Sequence, residues 1–336
     1  MKLHWDDVNA RARGLATHLL RREALDALAQ LPDLAAIGAA LRSHGYPLEE
    51  GEAAPEALEL ALRRMAAVRL RVLARWSGSR VEPLAVLFED EDRRSLRALL
   101  RGAVQGAPAE ARLAGLVPTP ALPERALSQL AALPTPAAIA ALLTAWGNSY
   151  GSALLAVASG GEPDLFTLEV TVNHTFAARA SGAAGRAPRL AAHVRETIDL
   201  ENAHTAILLA TEGKDVVPKD VFLPGGSRIA IADFELAASA GDVASAGRKL
   251  AAAFAGTPLA PPLAQLSHDP AALEDAVLRA RIRHLTLMSR QAPLGPAPLL
   301  AYVLRLRAET VDVQRIIWGR ALQVSPATIM NDLVSV

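Results

Sequence analysis

Apolar residues recur at the three- and four-residue spacing of an α-helix along almost the whole chain. One such stripe runs through residues 8–31, and longer amphipathic segments cover about residues 55–76 and 88–101. This spacing puts the apolar side chains on one face of a helix, where a core can bury them. The pattern therefore predicts an all-α protein.

The order of the helical segments repeats along the chain. In each part, short segments that end at a turn are followed by two long segments. The later long segments cover residues 163–180 and 188–210, then about 270–290 and 298–320. Connectors rich in turn-forming residues, at 103–123 and 211–228, separate the parts.

Two short patterns within the long segments each occur three times, at a period of roughly 110 residues. The first is Leu-Glu-x-x-apolar, and the second is an acidic residue followed three positions later by Arg, Asn or Asp. The first pattern reads Leu58-Glu59, Leu168-Glu169 and Leu273-Glu274, and the second reads Glu91 with Arg94, Asp199 with Asn202, and Glu309 with Asp312. A fixed period indicates one structural unit used several times. The sequence predicts three helical units, at residues 1–115, 116–228 and 229–336.

Composition agrees with this prediction and narrows the class of partner. Apolar residues make up 51% of the 336 residues and aromatic residues only 4%, with Ala and Leu, both helix formers, dominating the apolar set. The formal net charge is zero. Nucleic acid is therefore not expected as a partner, because phosphate binding needs a basic excess or a basic stripe. The chain contains no Cys, which excludes disulfides and thiolate metal sites.

Neither a membrane span nor a secretion signal is evident in the sequence. No apolar run approaches the length needed to cross a bilayer, and residues 1–7 lack the apolar segment of a signal peptide. These features predict a cytoplasmic protein, which could still bind to a membrane protein.

Candidate catalytic and metal-binding residues are few. Residues 147–151 match the Gly-x-Ser-x-Gly string of a hydrolase nucleophile elbow around Ser149, but the elbow needs a strand before it and the preceding residues predict a helix. A helix stop and turn is the favoured interpretation. His193 and Glu196 lack the second His of a zinc-binding helix, and no phosphate-binding glycine loop is present. We predict no cofactor, no metal site and no small-molecule substrate.

Several stretches, in this order, resemble the C subunit of bacterial and archaeal V/A-type ATPases, whose eukaryotic vacuolar counterpart is called the d subunit. The similar stretches are residues 8–15, 91–102, 168–176, 198–202, 223–226 and 309–320. Arg94 and Asp312 stand where the family usually has Asn, and the first connector, at residues 117–120, lacks the glycines of the second connector.

The resemblance implies a fold and a function. The fold would be three similar helical bundles around a pseudo-threefold axis, forming a funnel. The chain would be a non-catalytic central-rotor subunit, a socket that couples the central shaft, made of subunits D and F, to the membrane ring of proteolipid subunits. Torque would then link ATP hydrolysis or synthesis to ion transport, and the protein would be cytoplasmic and peripheral to the inner membrane.

Residues that contact the shaft are predicted from the repeat. The three acidic-pattern helices are equivalent, so their polar faces should converge on the funnel interior, which is filled with water until the shaft enters. The predicted shaft-binding residues are Arg94, Arg97, Arg101, Asn202, Asp312 and Arg315. The alternative for any of these Arg is a solvated ion pair with a nearby acid.

Two other classes of function remain open at this stage. A helical-repeat adaptor would bind a protein or peptide in a concave surface, and would be elongated rather than closed. A hydrolase that uses Ser149 is the least favoured class.

Overall fold

The computed structural model describes residues 5–78, 81–160, 164–185, 188–212, 216–266 and 270–335, and within these ranges all regular structure is helical. The all-α prediction is confirmed. Residues 1–4, on which part of the secretion-signal prediction rests, lie outside the described ranges.

The helices alternate between short and long elements, as the hydrophobic pattern predicts. In chain order the helices formed by the described residues are α1 (Asp6–Ala16), α2 (Arg22–Ala29), α3 (Leu34–Ser43), α4 (Pro55–Ser77), α5 (Val81–Val104), α6 (Ala109–Leu113), α7 (Glu124–Ala131), α8 (Pro136–Ala145), α9 (Gly151–Ala158), α10 (Leu165–Ala184), α11 (Pro188–Glu212), α12 (Pro218–Val221), α13 (Ile231–Ala238), α14 (Val243–Ala253), α15 (Ala260–Ala264), α16 (Pro270–Gln291), α17 (Ala297–Ala321) and α18 (Pro326–Asp332).

The long helices form three consecutive pairs, α4 with α5, α10 with α11, and α16 with α17, and the two members of each pair are in contact. Each pair also contacts another pair: α10 packs against α5, α16 against α11, and α4 against α17. The last of these contacts joins the first pair to the third. The long helices are therefore connected in a closed cycle, whereas an open solenoid contacts only its neighbours in sequence.

One short helix in each part of the chain, α3, α8 or α14, begins and ends in the same way. Asp33, Thr135 and Asp242 are N-caps of α3, α8 and α14, and each side chain accepts a hydrogen bond from a backbone N–H in the first turn. Such a cap stabilises a helix by about 1 kcal/mol. After each of these helices comes a glycine with positive φ, at Gly45, Gly147 or Gly256, where other residues would be strained.

The short helices pack on a long helix from a different part of the sequence. Helices α2 and α3 contact α17, α7 and α8 contact α5, and α13 and α14 contact α11. One hydrophobic cluster accordingly joins Leu25 and Ile37, near the start of the chain, to Val313, Ile317 and Leu333, near its end. Packing therefore crosses the predicted unit boundaries. The units at 1–115, 116–228 and 229–336, like the three-bundle funnel, stay predictions.

Candidate functional site: a polar cleft beside three long helices

The acidic pattern on α11 anchors the connector that follows it. Asp199 accepts hydrogen bonds from the backbone N–H groups of Ser227, Arg228 and Ile229, at 3.0, 3.1 and 3.2 Å. Asn202 accepts from the N–H of Leu223 at 2.8 Å and donates to its carbonyl at 2.9 Å. Both polar side chains are fully buried. They satisfy backbone groups of a turn that has no regular partners of its own.

The acidic pattern on α17 anchors both ends of the chain. Glu309 accepts hydrogen bonds from the N–H of Leu20 at 2.6 Å and from the Tyr46 hydroxyl at 2.8 Å, and it pairs with Arg69. Asp312 accepts from the N–H groups of Val334 and Ser335 at 2.6 and 2.7 Å. These bonds hold the beginning and end of the chain on one helix.

On α5 the corresponding anchor lies one residue later than the sequence indicated. Asp92 and Ser95 are buried, and Asp92 accepts a hydrogen bond from Thr119, 27 positions later, whereas Asp199 binds Ser227, 28 positions later. The assignment of the first copy to Glu91 and Arg94 was therefore wrong in register. Residues 89–94 are all charged, so the acid-x-x-polar spacing fits four registers, and the hydrogen bond from Thr119 to Asp92 identifies the register that anchors the connector.

The structure places the six predicted shaft-binding residues in three different environments. Asn202 and Asp312 are fully buried anchors, which differs from the expected polar stripe turned to water. Arg315 is ion-paired with Asp275 at 2.9 Å and lines a separate cavity near the end of the chain. The other three are brought together at one cleft. A contact of any of the six with a partner stays a prediction.

The polar cleft has a volume of about 250 Å³ and lies between α5, α16, α17 and the connector after α6. Its polar lining consists of Glu91, Arg94, Ser95, Arg97, Arg101, Glu274, Arg307, Thr310 and Gln314. A smaller adjoining cavity shares Arg94, Glu274 and Arg307 and extends to Glu201 and His204 on α11. The two cavities together bring polar groups from all three acidic-pattern helices to one place.

Ion pairs hold most of the arginines of this region in fixed positions. Arg97 pairs with Glu169 at 2.8 Å and more loosely with Glu201 at 3.4 Å, and Arg101 pairs with Glu169 at 2.7 Å. The fully buried Arg93 pairs with Glu201 and with Asp90, both at 2.7 Å. Burial raises the pKa of Glu201, but the guanidinium groups of Arg93 and Arg97 outweigh it and bring that pKa well below its usual range. The network stays charged at neutral pH.

Arg94 joins the network through Asp90. The two side chains are 3.4 Å apart within α5. Burial raises the pKa of Asp90, but Arg94 and Arg93 outweigh it and hold that pKa well below its ordinary value. Arg94, Arg97 and Arg101 are therefore ion-paired within the chain. The alternative prediction of a solvated ion pair fits Arg101, which is 49% exposed, better than Arg97, which is 14% exposed.

Arg307 differs from its neighbours because it has no hydrogen-bond or ion-pair partner among the residues that the structure describes. Burial and the positive charge of Arg94 lower its pKa to about 10. Glu274, which shares both cavities with Arg307, likewise lacks a hydrogen bond within the described residues. Burial raises the pKa of Glu274, but Arg94, His204 and Arg307 bring it below its usual value.

Two signals in the sequence could have indicated these additional residues. Glu274 belongs to the Leu-Glu pattern, whose other glutamates also face a neighbouring pair of helices: Glu59 accepts from Trp318 of α17 at 2.7 Å, and Glu169 binds Arg97 of α5. Arg307, with Thr310 and Gln314, follows the i, i+3, i+7 spacing of one helical face. Neither signal by itself indicates the cleft, because each lies within a single helix and the cleft forms only where several helices pack together.

The Gly-x-Ser-x-Gly string lies at the junction of two helices. The preceding element is helix α8, not a strand, so the helix stop and turn predicted around Ser149 is confirmed. Gly151 is required for a different reason, because a Cβ there would overlap the backbone of Thr144. His193 lies 3.3 Å from Arg281. Over the described ranges, no three His, Asp or Glu side chains come together in a way that could hold a metal ion.

None of the described helices is both long enough and apolar enough to cross a bilayer.

Comparison with known proteins identifies relatives of this chain. The family described as ATP synthase (C/AC39) subunit matches residues 8–332. Among curated proteins, the C subunit of the A-type ATP synthase of Haloferax volcanii is 24% identical over 286 residues, which cover 82% of this chain and 81% of that protein. The match extends over the long helices, the connectors and the polar cleft.

Proposed function

Because the chain belongs to the ATP synthase (C/AC39) subunit family, a non-catalytic component of an ion-transporting rotary complex, we propose that it is the central-rotor subunit that joins the shaft to the membrane ring. The shaft would consist of subunits D and F, and the ring of proteolipid subunits. The protein would then transmit torque between ATP hydrolysis or synthesis and ion transport, on the cytoplasmic side of the inner membrane.

The observation that carries this proposal is the closed cycle of long helices beside a polar cleft. The contact of α4 with α17 closes the cycle, and the cleft lies where α5, α16 and α17 meet. A rotor socket needs stiffness, since a soft link would absorb torque. The bonds from Arg93 to Glu201 and from Arg97 to Glu169, which join α5 to α11 and α10, supply cross-links of that kind.

We further propose that the three predicted units, at 1–115, 116–228 and 229–336, form three similar bundles around a pseudo-threefold axis, with a funnel between them. The equivalent N-caps at Asp33 and Thr135 support this arrangement, as does the equivalent packing of α2, α7 and α13 on long helices. Small-angle scattering of the isolated chain tests it, since a closed funnel gives a compact particle. An elongated particle would support the helical-repeat adaptor instead.

Within this function, we propose that Arg94, Arg97 and Arg101 contact the shaft at the cleft. Asn202, Asp312 and Arg315, the other three predicted residues, would act mainly by holding the surrounding segments in place. Arg101 is the most accessible of the six, with its side chain 49% exposed, and Arg97 is 14% exposed. The proposed contact is polar, so it can resist slip and still be reversible.

The direct test is binding of the purified chain to the D and F subunits encoded by the same genome. The proposal expects a stable complex of the three proteins in size-exclusion chromatography. Absence of a complex with D and F, together with capture of an unrelated protein, would contradict it. Arg101→Glu supplies a cleft variant expected to weaken the complex, and Arg248→Glu, on the exposed part of α14, supplies its control.

A further inference from the structure

Arg307 occupies the wall shared by the polar cleft and the smaller cavity beside it. It lies on α17, ten positions after the start of that helix at Ala297, and its side chain is neither fully buried nor fully exposed. Its guanidinium group carries five N–H donors in a planar fork. None of these donors reaches an acceptor within the described residues. The nitrogen atoms of Arg307 are not fully buried, so they are open to solvent and to a partner.

The neighbouring guanidinium groups are already committed to acids of this chain. Arg94 is bound by Asp90, Arg97 by Glu169 and Glu201, and Arg101 by Glu169. Their remaining N–H groups can contact the shaft, but a two-bond contact with a carboxylate of the partner would compete with the internal acid. Arg307 can form such a two-bond contact without that competition.

The charges around the cleft are balanced. Six guanidinium groups face six carboxylates, namely Arg93, Arg94, Arg97, Arg101, Arg281 and Arg307 against Asp90, Glu91, Glu169, Glu196, Glu201 and Glu274. A polyanion would find no net positive field here. A partner that brings one acid together with basic groups would match Arg307 on one side. On the other side it would match Glu91 and Glu274, two carboxylates that accept no hydrogen bond from a side chain of the described residues.

The lining of the cleft indicates the kind of group it can receive. Glu91, Arg94, Glu274 and Arg307 present charged groups to it. It therefore suits the polar ends of long side chains from a partner that sits above it.

We propose that Arg307 binds a carboxylate side chain at the tip of the shaft protein, and that Glu91 and Glu274 receive basic side chains on either side of it. This inference rests on the proposed function and names the chemistry by which the shaft would be recognised. Arg307 and a carboxylate can form two parallel hydrogen bonds, which fix rotation as well as position. The rotational constraint suits a contact that transmits torque.

The test compares two arginines of the same helix. Arg305 also lies on α17, also has intermediate exposure and also lacks a hydrogen-bond partner among the described residues, but it lines a different cavity, with Arg21 and Ser335. We expect Arg307→Glu to weaken binding of the full chain to the D–F complex at least about 30-fold, as for loss of a desolvated charge pair. Arg305→Glu should change it less than about 3-fold, as for a charge away from the interface.

Two further variants keep the test decisive. Arg307→Gln removes the charge without adding repulsion from Glu91 and Glu274, so it serves where Arg307→Glu loses its cooperative melting transition. The tip acids of the D protein are then changed one at a time to Arg, and the inference expects one of these changes to restore binding to Arg307→Glu.

The outcomes separate the two proposals. If the wild-type chain fails to bind D–F, the proposed function itself is overturned. If the wild-type chain binds and the Arg307 variants bind as tightly as Arg305→Glu, only the role of Arg307 is overturned.

Discussion

Two connectors occupy equivalent places in the chain and are anchored by equivalent aspartates, yet the two anchors differ. Asp199 on α11 accepts the backbone N–H groups of three successive residues, Ser227 to Ile229. Asp92 on α5 accepts one hydroxyl, that of Thr119. At these two aspartates the second connector is therefore bound through its backbone and the first through a side chain, although the N–H of Gly115 in the first connector also donates to Glu59.

The difference follows from the connector sequences. Gly225 and Gly226 let the second connector approach Asp199 closely, and a Cβ at Gly226 would overlap the carboxylate. The first connector has Pro118 and Pro120 near the same place, and proline has no N–H to donate. Residues 114–117 of the first connector also line the polar cleft. The connector whose aspartate anchor has one bond instead of three is therefore the one that borders the candidate site.

The electrostatic consequence appears at Asp92. Burial raises the pKa of its carboxyl to about 7; the bond from Thr119 opposes the rise, and Glu89 and Glu91 add to it. Asp92 and Asp199 hold equivalent positions, but the surroundings of Asp92 favour the protonated form of its carboxyl group.

The largest expected effect is the loss of the second anchor. Asp199→Ala leaves three backbone N–H groups without their acceptor, that of Ile229 in a buried bond and those of Ser227 and Arg228 in partly buried bonds, so we expect the free energy of unfolding to fall by about 4 kcal/mol. Urea denaturation measures it. Asp92→Ala is the matched control, with an expected loss below about 2 kcal/mol, since one hydroxyl is left without its acceptor. Equal losses in the two variants would contradict the comparison.

A second effect concerns the close approach at Gly226. Gly226→Ala forces the connector away from Asp199, and we expect a loss of about 3 kcal/mol, in the range of overpacking a tight site. Gly160→Ala is the control, because the nearest atom to a Cβ there lies 3.8 Å away. Thermal melting of both variants provides the measurement. A melting temperature for Gly226→Ala equal to that of the control would show that the connector can lie farther from Asp199 without loss of stability.

The third effect is a pH dependence carried by the first anchor. The folded chain keeps the Asp92 proton up to about pH 7, whereas the unfolded chain loses it near the ordinary pKa of 3.8. The stability from this group is therefore fully present below about pH 4 and is lost as the pH rises through about 7. Asp92→Asn mimics the protonated form, so it should match the wild type at about pH 4 and exceed it by about 2 kcal/mol at about pH 8.5.

Denaturation of both proteins across that pH range checks this expectation. Asp90 and Glu201, whose pKa values are lowered, titrate alike in the two proteins and cancel in the difference. A difference that does not change with pH would contradict the assignment.

The smallest effect is expected at Thr119. Thr119→Val removes the hydroxyl that donates to Asp92, at a cost of about 1 kcal/mol. Because that bond lowers the pKa of Asp92, its loss should move the midpoint of the pH dependence above 7. Two-dimensional carbonyl NMR titration follows the midpoint directly. An unchanged midpoint would show that the bond from Thr119 does not affect the pKa of Asp92.

The helical class and the short helices could be predicted from the sequence, because capping residues and helical spacing are local features. Asp33 and Thr135, for example, follow from capping chemistry alone. The closed cycle of long helices could not be predicted from the sequence, because the contact of α4 with α17 joins residues more than 200 positions apart. The ion pair between Arg69 and Glu309 is one example.

The candidate site was predicted in part for a similar reason. Arg94, Arg97 and Arg101, which were predicted to face a water-filled interior, line the polar cleft, and their contact with a shaft stays a prediction. Asn202 and Asp312 were also expected to face water, but both are fully buried. A polar residue at a repeated position can serve a ligand or an internal backbone group, and the sequence does not distinguish the two. Only the positions of Leu223 and Val334, brought to these side chains by the fold, decide between them.

The most direct test of the central claim, that the polar cleft receives the shaft, uses the absence of Cys from the chain. Ala98→Cys places one thiol at the cleft, and Leu236→Cys places one on α13, where the leucine is 59% exposed. Each variant carries a photoactivated cross-linker and is assembled with D and F. The account predicts that the cleft position cross-links to the tip of the D protein and that the α13 position does not. Cross-linking from Leu236→Cys but not from Ala98→Cys would contradict it.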